Sequence, residues 1–321
     1  VIDVQRLAVL REVSRQGSFN QAAGVLRLTP SAVSQQIAAL ERRLGSRVVE
    51  RSTRGVVLTE AGRLLVDAAE AIAAELADAQ QRIDRLAQPR QTLTVATFAS
   101  GGRHLLPGVL GGFVADHPEA ELTIVEAEPE ESLPLVREGR VDVALAYHFD
   151  GPPPARPGDR TGLDWAPLLD DPLRVVLPRA HPRAGGPATV DLADLAGERW
   201  VLGCLKSAAQ LARYAELAGV ELSVSCSSTD YAFAQSLVRA GVGIALIPQI
   251  AVERAPDLVA LTPASPAPVR HIGLARARRH RGPADRLTDE LSARLRAAVA
   301  ADAGAAAPGN APADADACAA S

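Results

Sequence analysis

From Thr59 to Ala87 the apolar residues Ala61, Leu65, Ala68, Ile72, Leu76, Ala79, Ile83 and Leu86 recur at steps of four and three, the seam of a coiled coil. A helix over this stretch is roughly 43 Å long at 1.5 Å per residue. So long a helix with one apolar stripe needs a partner, and the economical partner is the same helix of a second chain. Leu65, Ile72, Leu76 and Ile83 are the expected dimerisation residues, Thr59 the cap, and Pro89 the stop.

Three short helical patterns precede the seam. Val4, Leu7, Ala8 and Val13 give the first an apolar face that ends at Gly17, and Ser18 with Gln21 has the spacing of a capping box for the second. The third, "TPSAVSQQIAALERRLG", has Pro30 at its first helical position and buries Val33, Ile37, Leu40 and Leu44. Its opposite side presents Ser31, Ser34 and Gln35, short polar side chains beside a helix N-terminus that favours phosphate. Two helices joined by a tight turn, the second with a polar leading face, form a helix-turn-helix that reads the major groove. Val48-Val49 and Val56-Val57-Leu58 then predict a small hairpin, a wing, flanked by Arg51 and Arg54 for the DNA backbone or minor groove. Charge agrees. Residues 1–66 hold ten Arg against five Asp and Glu, a net of +5, so the remainder carries −9 of the overall −4. A basic front on an acidic body suits a polyanion partner.

Beyond residue 89 the pattern alternates between strand and helix. Strands are predicted at 93–98, 122–126, 141–147, 174–177, 200–203, 221–226, 244–247 and 270–276. Helices are predicted near 102–115, 131–139, 207–218, 230–240 and 284–300, with a Pro/Gly-rich loop at 150–159. This is α/β grammar in two successive units. The domains expected are therefore a winged helix-turn-helix (1–58), a linker helix (59–88), an effector-binding region of two α/β lobes (89–300) and a disordered Ala/Pro-rich tail (301–321).

Cys204, Cys226 and Cys318 lie far apart without metal-ligand spacing, so neither a disulfide framework, a metal site nor a cofactor is expected. No apolar run approaches the ~18 residues that span a bilayer, and the amphipathic start lacks the apolar core of a secretion signal, which predicts a cytoplasmic protein without membrane contact. Val1 in place of Met, no Met elsewhere and 33 Arg beside the single Lys206 fit a GC-rich bacterial gene read from a GTG start.

The run "FNQAAGVLRLTPSAVSQQIAALERRLGSRVVERSTRGVVLTEAG" closely resembles the DNA-binding signature of LysR-type transcriptional regulators. Later segments, "LLPGVLGGFVADHPEAELTIVE", "VREGRVDVALAY", "VVLPRAHP" and "VRAGVGIALIPQ", resemble that family's effector domain, so the likeness extends over about residues 2–298. One departure is Val48-Val49, where most members have Leu-Phe. The resemblance implies a winged helix-turn-helix, a dimerising linker helix and a two-lobed domain like type 2 periplasmic binding proteins. It further implies homodimers or homotetramers on promoter DNA, a small-molecule effector in the inter-lobe cleft, and contact with RNA polymerase if the protein activates.

A cleft between such lobes lies at the carboxyl ends of their strands, near helix N-termini suited to anions. The first-lobe candidates for effector binding are Thr97, Ser100, Gly101 and Gly102 from "TFASGG", with Tyr147 and His148 after the third strand. The second lobe offers Gly203, Cys204, Ser227 and Thr229. A Ser N-cap and a tight turn account equally well for Ser100 and its glycines, although the family commonly meets a ligand carboxylate there, so an anionic effector is the expectation. Oxidant sensing at Cys204 is disfavoured, because Lys206 is its one visible basic neighbour. Turnover is not expected: "AGVGIAL" precedes a strand instead of following one, and no G-x-S-x-G, Walker loop or H-E-x-x-H is present. The rival readings are a non-specific chromosome-organising protein and a cytosolic solute-binding protein. The effector region opposes the first, and the DNA-binding front opposes the second.

Overall fold

The structure, a computed structural model, describes residues 2–52, 55–86, 92–149, 162–264, 267–278 and 283–306. Arg54, Pro89, the loop at 150–159 and the tail beyond 306 lie outside the described residues.

Three helices open the chain, α1 (Val4–Gln16), α2 (Phe19–Leu26) and α3 (Pro30–Leu44). Asp3 caps α1 and Thr29 caps α3, its hydroxyl accepting from the Ala32 amide at 3.2 Å. Ser18 stands at the N-cap of α2, but its side chain makes no capping bond, so the expected capping box is not formed. The hairpin β1 (Val49–Ser52) and β2 (Gly55–Leu58) is antiparallel, and the Val56 amide bonds Gly17 O at 2.9 Å, docking the wing on the end of α1.

Val48 and Val49 are both buried in the core that Leu10, Val33, Ile37 and Leu40 form, so the smaller pair still fills the seat between wing and helices. Glu41 Oε1 accepts from both of their amides, at 2.9 and 3.4 Å.

The long helix α4 runs Glu60–Leu86. Thr59 holds its start in two directions: its hydroxyl accepts from the Gly62 amide at 3.0 Å and donates to Arg47 O at 2.8 Å. A Cβ on Gly62 would sit 1.9 Å from Val48 O, a backbone atom that no rotamer change can move. Gly62→Ala is therefore expected to cost about 3 kcal/mol, the upper end for an overpacked site, read as a lowered unfolding midpoint. Leu65 turns into the core of the three opening helices, whereas Leu76 and Ile83 are each 60% exposed.

The remainder is two α/β lobes joined through one large mixed sheet. The first contains β3 (Thr92–Thr97), β4 (Glu121–Glu126) and β5 (Val143–His148) in parallel, order β4-β3-β5, with β12 (Val269–Ala277) antiparallel beside β5. Helices α5 (Ala99–His104), α6 (Pro107–Asp116) and α7 (Pro129–Arg137) accompany them. The spine between lobes is β6 (Leu163–Pro178): residues 163–172 pair with β12, and 173–178 pair with strands of the second lobe. There the parallel run β10 (Ile244–Pro248), β8 (Arg199–Leu202) and β9 (Ser223–Ser227) carries α8 (Leu205–Ala218) and α9 (Tyr231–Arg239). β11 (Leu258–Pro263) lies along β6 and pairs with the short β7 (Thr189–Val190). The closing helix α10 runs Pro283–Ala306, six residues past the expected end at 300, since "ADAGAA" is rich in the best helix former.

Two sequence expectations are corrected. The single helix near 102–115 is two, α5 and α6, divided before Pro107, whose ring cannot continue a helix. The strand expected at 174–177 is the last quarter of a sixteen-residue one. Gly243 in "AGVGIAL" serves packing, because a Cβ there would lie 2.3 Å from Arg199 O. Among the described residues no helix is long and apolar enough to cross a membrane.

Candidate nucleic-acid interface and effector cavity

On α3 the core-facing Val33, Ile37 and Leu40 are buried. The outward side of the first turns presents Ser31 and Gln35, both exposed, and the half-buried Ser34. Thr29 Oγ1 and Ser31 Oγ lie 3.0 Å apart, so the cap also fixes the first of these side chains. Arg51 sits on β1 of the hairpin, opposite Val56. The start of α3 and its small polar side chains thus form one exposed face, on a unit whose hairpin packs against the same helical core.

Between the lobes lies a cavity of about 710 Å³, within the size range of small-molecule sites. Its floor is one buried ion pair. Arg270 reaches from β12 and donates from Nε and Nη2 to Asp171 Oδ2 of β6, at 3.0 and 2.7 Å, with side-chain exposures of 1% and 0%. The third contact is Arg270 Nη1 to Ser100 Oγ, 3.1 Å. The Ile250 amide donates to Asp171 Oδ1 at 3.0 Å. Above the guanidinium stand the rings of Phe98 and Tyr147, with centroids 4.9 and 4.8 Å away, a desolvated cation–π arrangement. Burial pushes the Asp171 carboxyl up from its ordinary range, and the charge of Arg270 works against that shift.

Three ion pairs run from lobe to lobe. Lys206 Nζ on α8 donates to Glu128 Oε2 at 3.0 Å and to Glu130 Oε2 at 2.5 Å, and Arg103 of α5 lies 3.9 Å from Asp230. The same Glu128 oxygen accepts from the Tyr147 hydroxyl at 2.8 Å. Burial first, and then the Glu128 charge, hold the Tyr147 phenol far above its ordinary value, so it remains a donor. Burial also raises the Tyr231 phenol, whose hydroxyl lies 2.6 Å from Ser207 Oγ. The His104 imidazole on the wall is lowered from its ordinary value, by burial and then by Arg103.

Of the ten residues expected at the effector site, Ser100, Tyr147, Cys204 and Thr229 line the cavity. The other six do not. Successive strand residues point to opposite faces. With Tyr147 facing the cavity, His148 must face away, and it stacks on His271 with ring centroids 5.2 Å apart. Ser227, at the end of β9, is exposed outside the lining. Thr97 is buried, its hydroxyl bonded to Phe98 O, and a Cβ on Gly102 would lie 2.9 Å from its methyl. Gly101 is glycine because a Cβ would meet Phe98 and Leu145 at 2.7 and 2.8 Å, and Gly203 because Tyr231 lies 2.7 Å off. Packing thus explains all three glycines.

The expected anion seat is also altered. The N-cap of α5 is Phe98, not Ser100, and the Gly102 amide is already bonded to Phe98 O at 2.9 Å. Glu126, Glu128, Asp230 and Glu253 line the cavity against Arg103 and the paired Arg270, so its walls are not arranged for a bare anion.

Sequence reasoning missed Arg270 and Asp171, which lie 99 positions apart, together with Tyr231 and Gln235. Gln235 ties α9 to the wall, donating to Ala251 O at 2.9 Å and accepting from the Glu253 amide at 2.8 Å. Among the described residues no cluster of His, Cys, Asp and Glu could hold a metal ion.

Two family descriptions match the chain: a bacterial regulatory helix-turn-helix protein of the lysR family over residues 4–63, and a LysR substrate binding domain over 86–299. A probable hydrogen peroxide-inducible genes activator of Mycobacterium avium is 34% identical over 275 residues, covering 82% of this chain and 84% of its own length. The DNA-binding transcriptional dual regulator OxyR of Escherichia coli K12 is 28% identical over 284 residues, 85% of this chain and 88% of that protein. The solved structure of a cysteine-to-serine mutant of Corynebacterium glutamicum OxyR, with hydrogen peroxide bound, superposes with a TM-score of 0.50 at 26% identity, over 95% of this chain and 98% of that one.

Proposed function

We infer how this chain works from one premise: it belongs to the LysR family of bacterial transcriptional regulators. It is a DNA-binding regulator that answers to a small-molecule effector and oligomerises. In our reading Ser31, Ser34 and Gln35 enter the major groove, and Arg51 and Arg54 meet the backbone or minor groove. The observation that carries this is the exposed polar first turn of α3, fixed by Thr29 and backed by Val33 and Ile37. Gln35→Ala is expected to cost about 1–3 kcal/mol of discrimination at one base position. Arg51→Ala should weaken binding to all sequences alike and flatten the salt slope by about one phosphate. Competition among single-base site variants measures both. Unchanged relative affinities for Gln35→Ala would remove it as a base reader.

The effector occupies the inter-lobe cavity. Its lining supports a neutral polar or cationic molecule over a simple anion. The three cross-lobe pairs are partly exposed, with Lys206 at 28% and Arg103 at 60%, so each contributes about 0–1 kcal/mol. Lobes held so lightly shift with any ligand that prefers one spacing, and only such a preference moves the equilibrium. The regulator acts in the cytoplasm and binds its effector without turnover.

A second reading has its own support. Cys204 lines the cavity as the N-cap of the fourteen-residue α8, and the M. avium relative is a probable hydrogen peroxide-inducible genes activator by name. In that reading the Cys204 thiolate attacks one oxygen of hydrogen peroxide, the O–O bond breaks, the leaving hydroxide takes up a proton from solvent, and sulfenic acid and water result. Intact-mass analysis after one equivalent of hydrogen peroxide should then show one added oxygen, absent in Cys204→Ser. No mass change in the wild type would leave the non-covalent effector alone.

A further inference from the structure

A second, smaller cavity of about 190 Å³ lies where the DNA-binding helices meet the first lobe. α1 supplies Arg11 and Arg15, α4 supplies Glu70 and three alanines, and the end of α7 supplies Arg137 and Glu138. Ala73, Ala74 and Ala77 leave open the space that longer side chains would fill. The lining carries three guanidinium groups and two carboxylates; Arg137 and Glu138 have partners of their own, Glu138 with Arg140, which leaves Arg11 and Arg15 as its uncompensated cations among the described residues.

Arg11 and Arg15 are one helical turn apart, a like-charged i, i+4 pair that is unfavourable unless something neutralises it. Neither forms an ion pair among the described residues. Arg11 Nε is enclosed from solvent and has no hydrogen-bond partner. A buried donor left unmet is costly, and buried polar groups are normally satisfied.

We propose that this junction binds a small divalent oxyanion, of which inorganic phosphate and sulfate are the simplest, through Arg11 and Arg15 of the DNA-binding unit with Arg137 of the first lobe. Guanidinium groups suit tetrahedral oxyanions, offering paired N–H donors in a fixed fork. The anion bridges two parts of the chain, so it favours the placement of the DNA-binding helices in which α1 and α7 face one another. By linkage its concentration shifts DNA affinity, and DNA shifts its affinity by the same factor. The site lies apart from the inter-lobe cavity.

The test is thermal unfolding of the full chain against inorganic phosphate, with chloride replacing it at constant ionic strength. A ligand that binds the folded state raises the midpoint in proportion to ln(1 + [L]/Kd), so the rise continues by equal steps per decade above Kd. We expect that pattern for phosphate and not for chloride. Arg11→Gln should weaken the apparent affinity by at least about tenfold, the value of one charge-assisted contact. Ala74→Leu should abolish the response by filling the cavity. Arg15→Gln, at an exposed position, is the variant least able to disturb folding, and it should weaken phosphate by a similar factor. Equal responses to phosphate and chloride, or a phosphate response unaltered by Arg15→Gln and Arg11→Gln, would overturn the site.

Discussion

Arg270→Met is expected to lower the free energy of unfolding by about 3–5 kcal/mol, because it strands the Asp171 carboxylate in a site with 0% exposure. The loss should depend on pH. Burial already raises this carboxyl, and without the arginine it rises further, so the folded state binds a proton more tightly than the unfolded chain. A group with its folded pKa raised contributes most below its unfolded value, and that contribution fades as pH climbs through the folded value. The deficit of Arg270→Met should therefore shrink on acidification toward pH 4 and be full near neutrality. Denaturant unfolding of both proteins across that range checks the sign. A deficit that grows in acid would mean that Asp171 is not the stranded group. The double variant Arg270→Met, Asp171→Leu should recover most of the stability, since apolar replacements of a buried pair are often neutral or stabilising. It should still fail to respond to effector, having lost the cavity floor on which Ser100, Phe98 and Tyr147 rest.

Leu76→Asp should convert the oligomer to monomers. Ile72, Leu76 and Ile83 follow at steps of four and seven on one side of α4, and the last two are each 60% exposed in the single chain. Covering a large aliphatic side chain contributes roughly 1.5–3 kcal/mol, and a twofold-related helix covers each of them twice. An aspartate there must either lose its water or separate the helices. Sedimentation of the variant at the concentration where the wild type is dimeric checks this. An intact Leu76→Asp dimer would move the interface elsewhere. Leu65 is the informative neighbour: it shares the seam spacing, yet its side chain serves the core of the opening helices.

The DNA-binding end was legible because its determinants are local. Thr29, Pro30 and the spacing of Val33, Ile37 and Leu40 lie within twelve residues, and the structure uses each as its chemistry suggests. The effector cavity was only half legible, because its floor joins residues from strands remote in sequence. A usable signal did exist. Arg270 is in phase with the buried Ile272 and Leu274, and Asp171 with the buried Leu173, Val175 and Leu177. Two opposite charges, each on the apolar face of a strand, call for each other. The same period of two would have separated Tyr147 from His148, which cannot both face one cavity. The first part of β6 was hidden by Pro167 and Pro172, residues that argue against a strand interior. Between them β6 bulges at Leu168, which has no partner where β12 steps from Ile272 to Gly273, and Trp165 lies so close over Gly273 that a Cβ would be 2.4 Å from its ring.

The central claim, that this chain is a sequence-specific regulator, is tested most directly by fluorescence anisotropy of the purified protein. The probes are DNA from immediately upstream of its gene and a scrambled duplex, at two salt concentrations. Phosphate attraction falls steeply with salt, whereas base reading survives as a ratio between the two duplexes. The account predicts a preference of ~10³ or more that persists at the higher salt. Equal, salt-labile binding to both duplexes would contradict it and favour a chromosome-organising role.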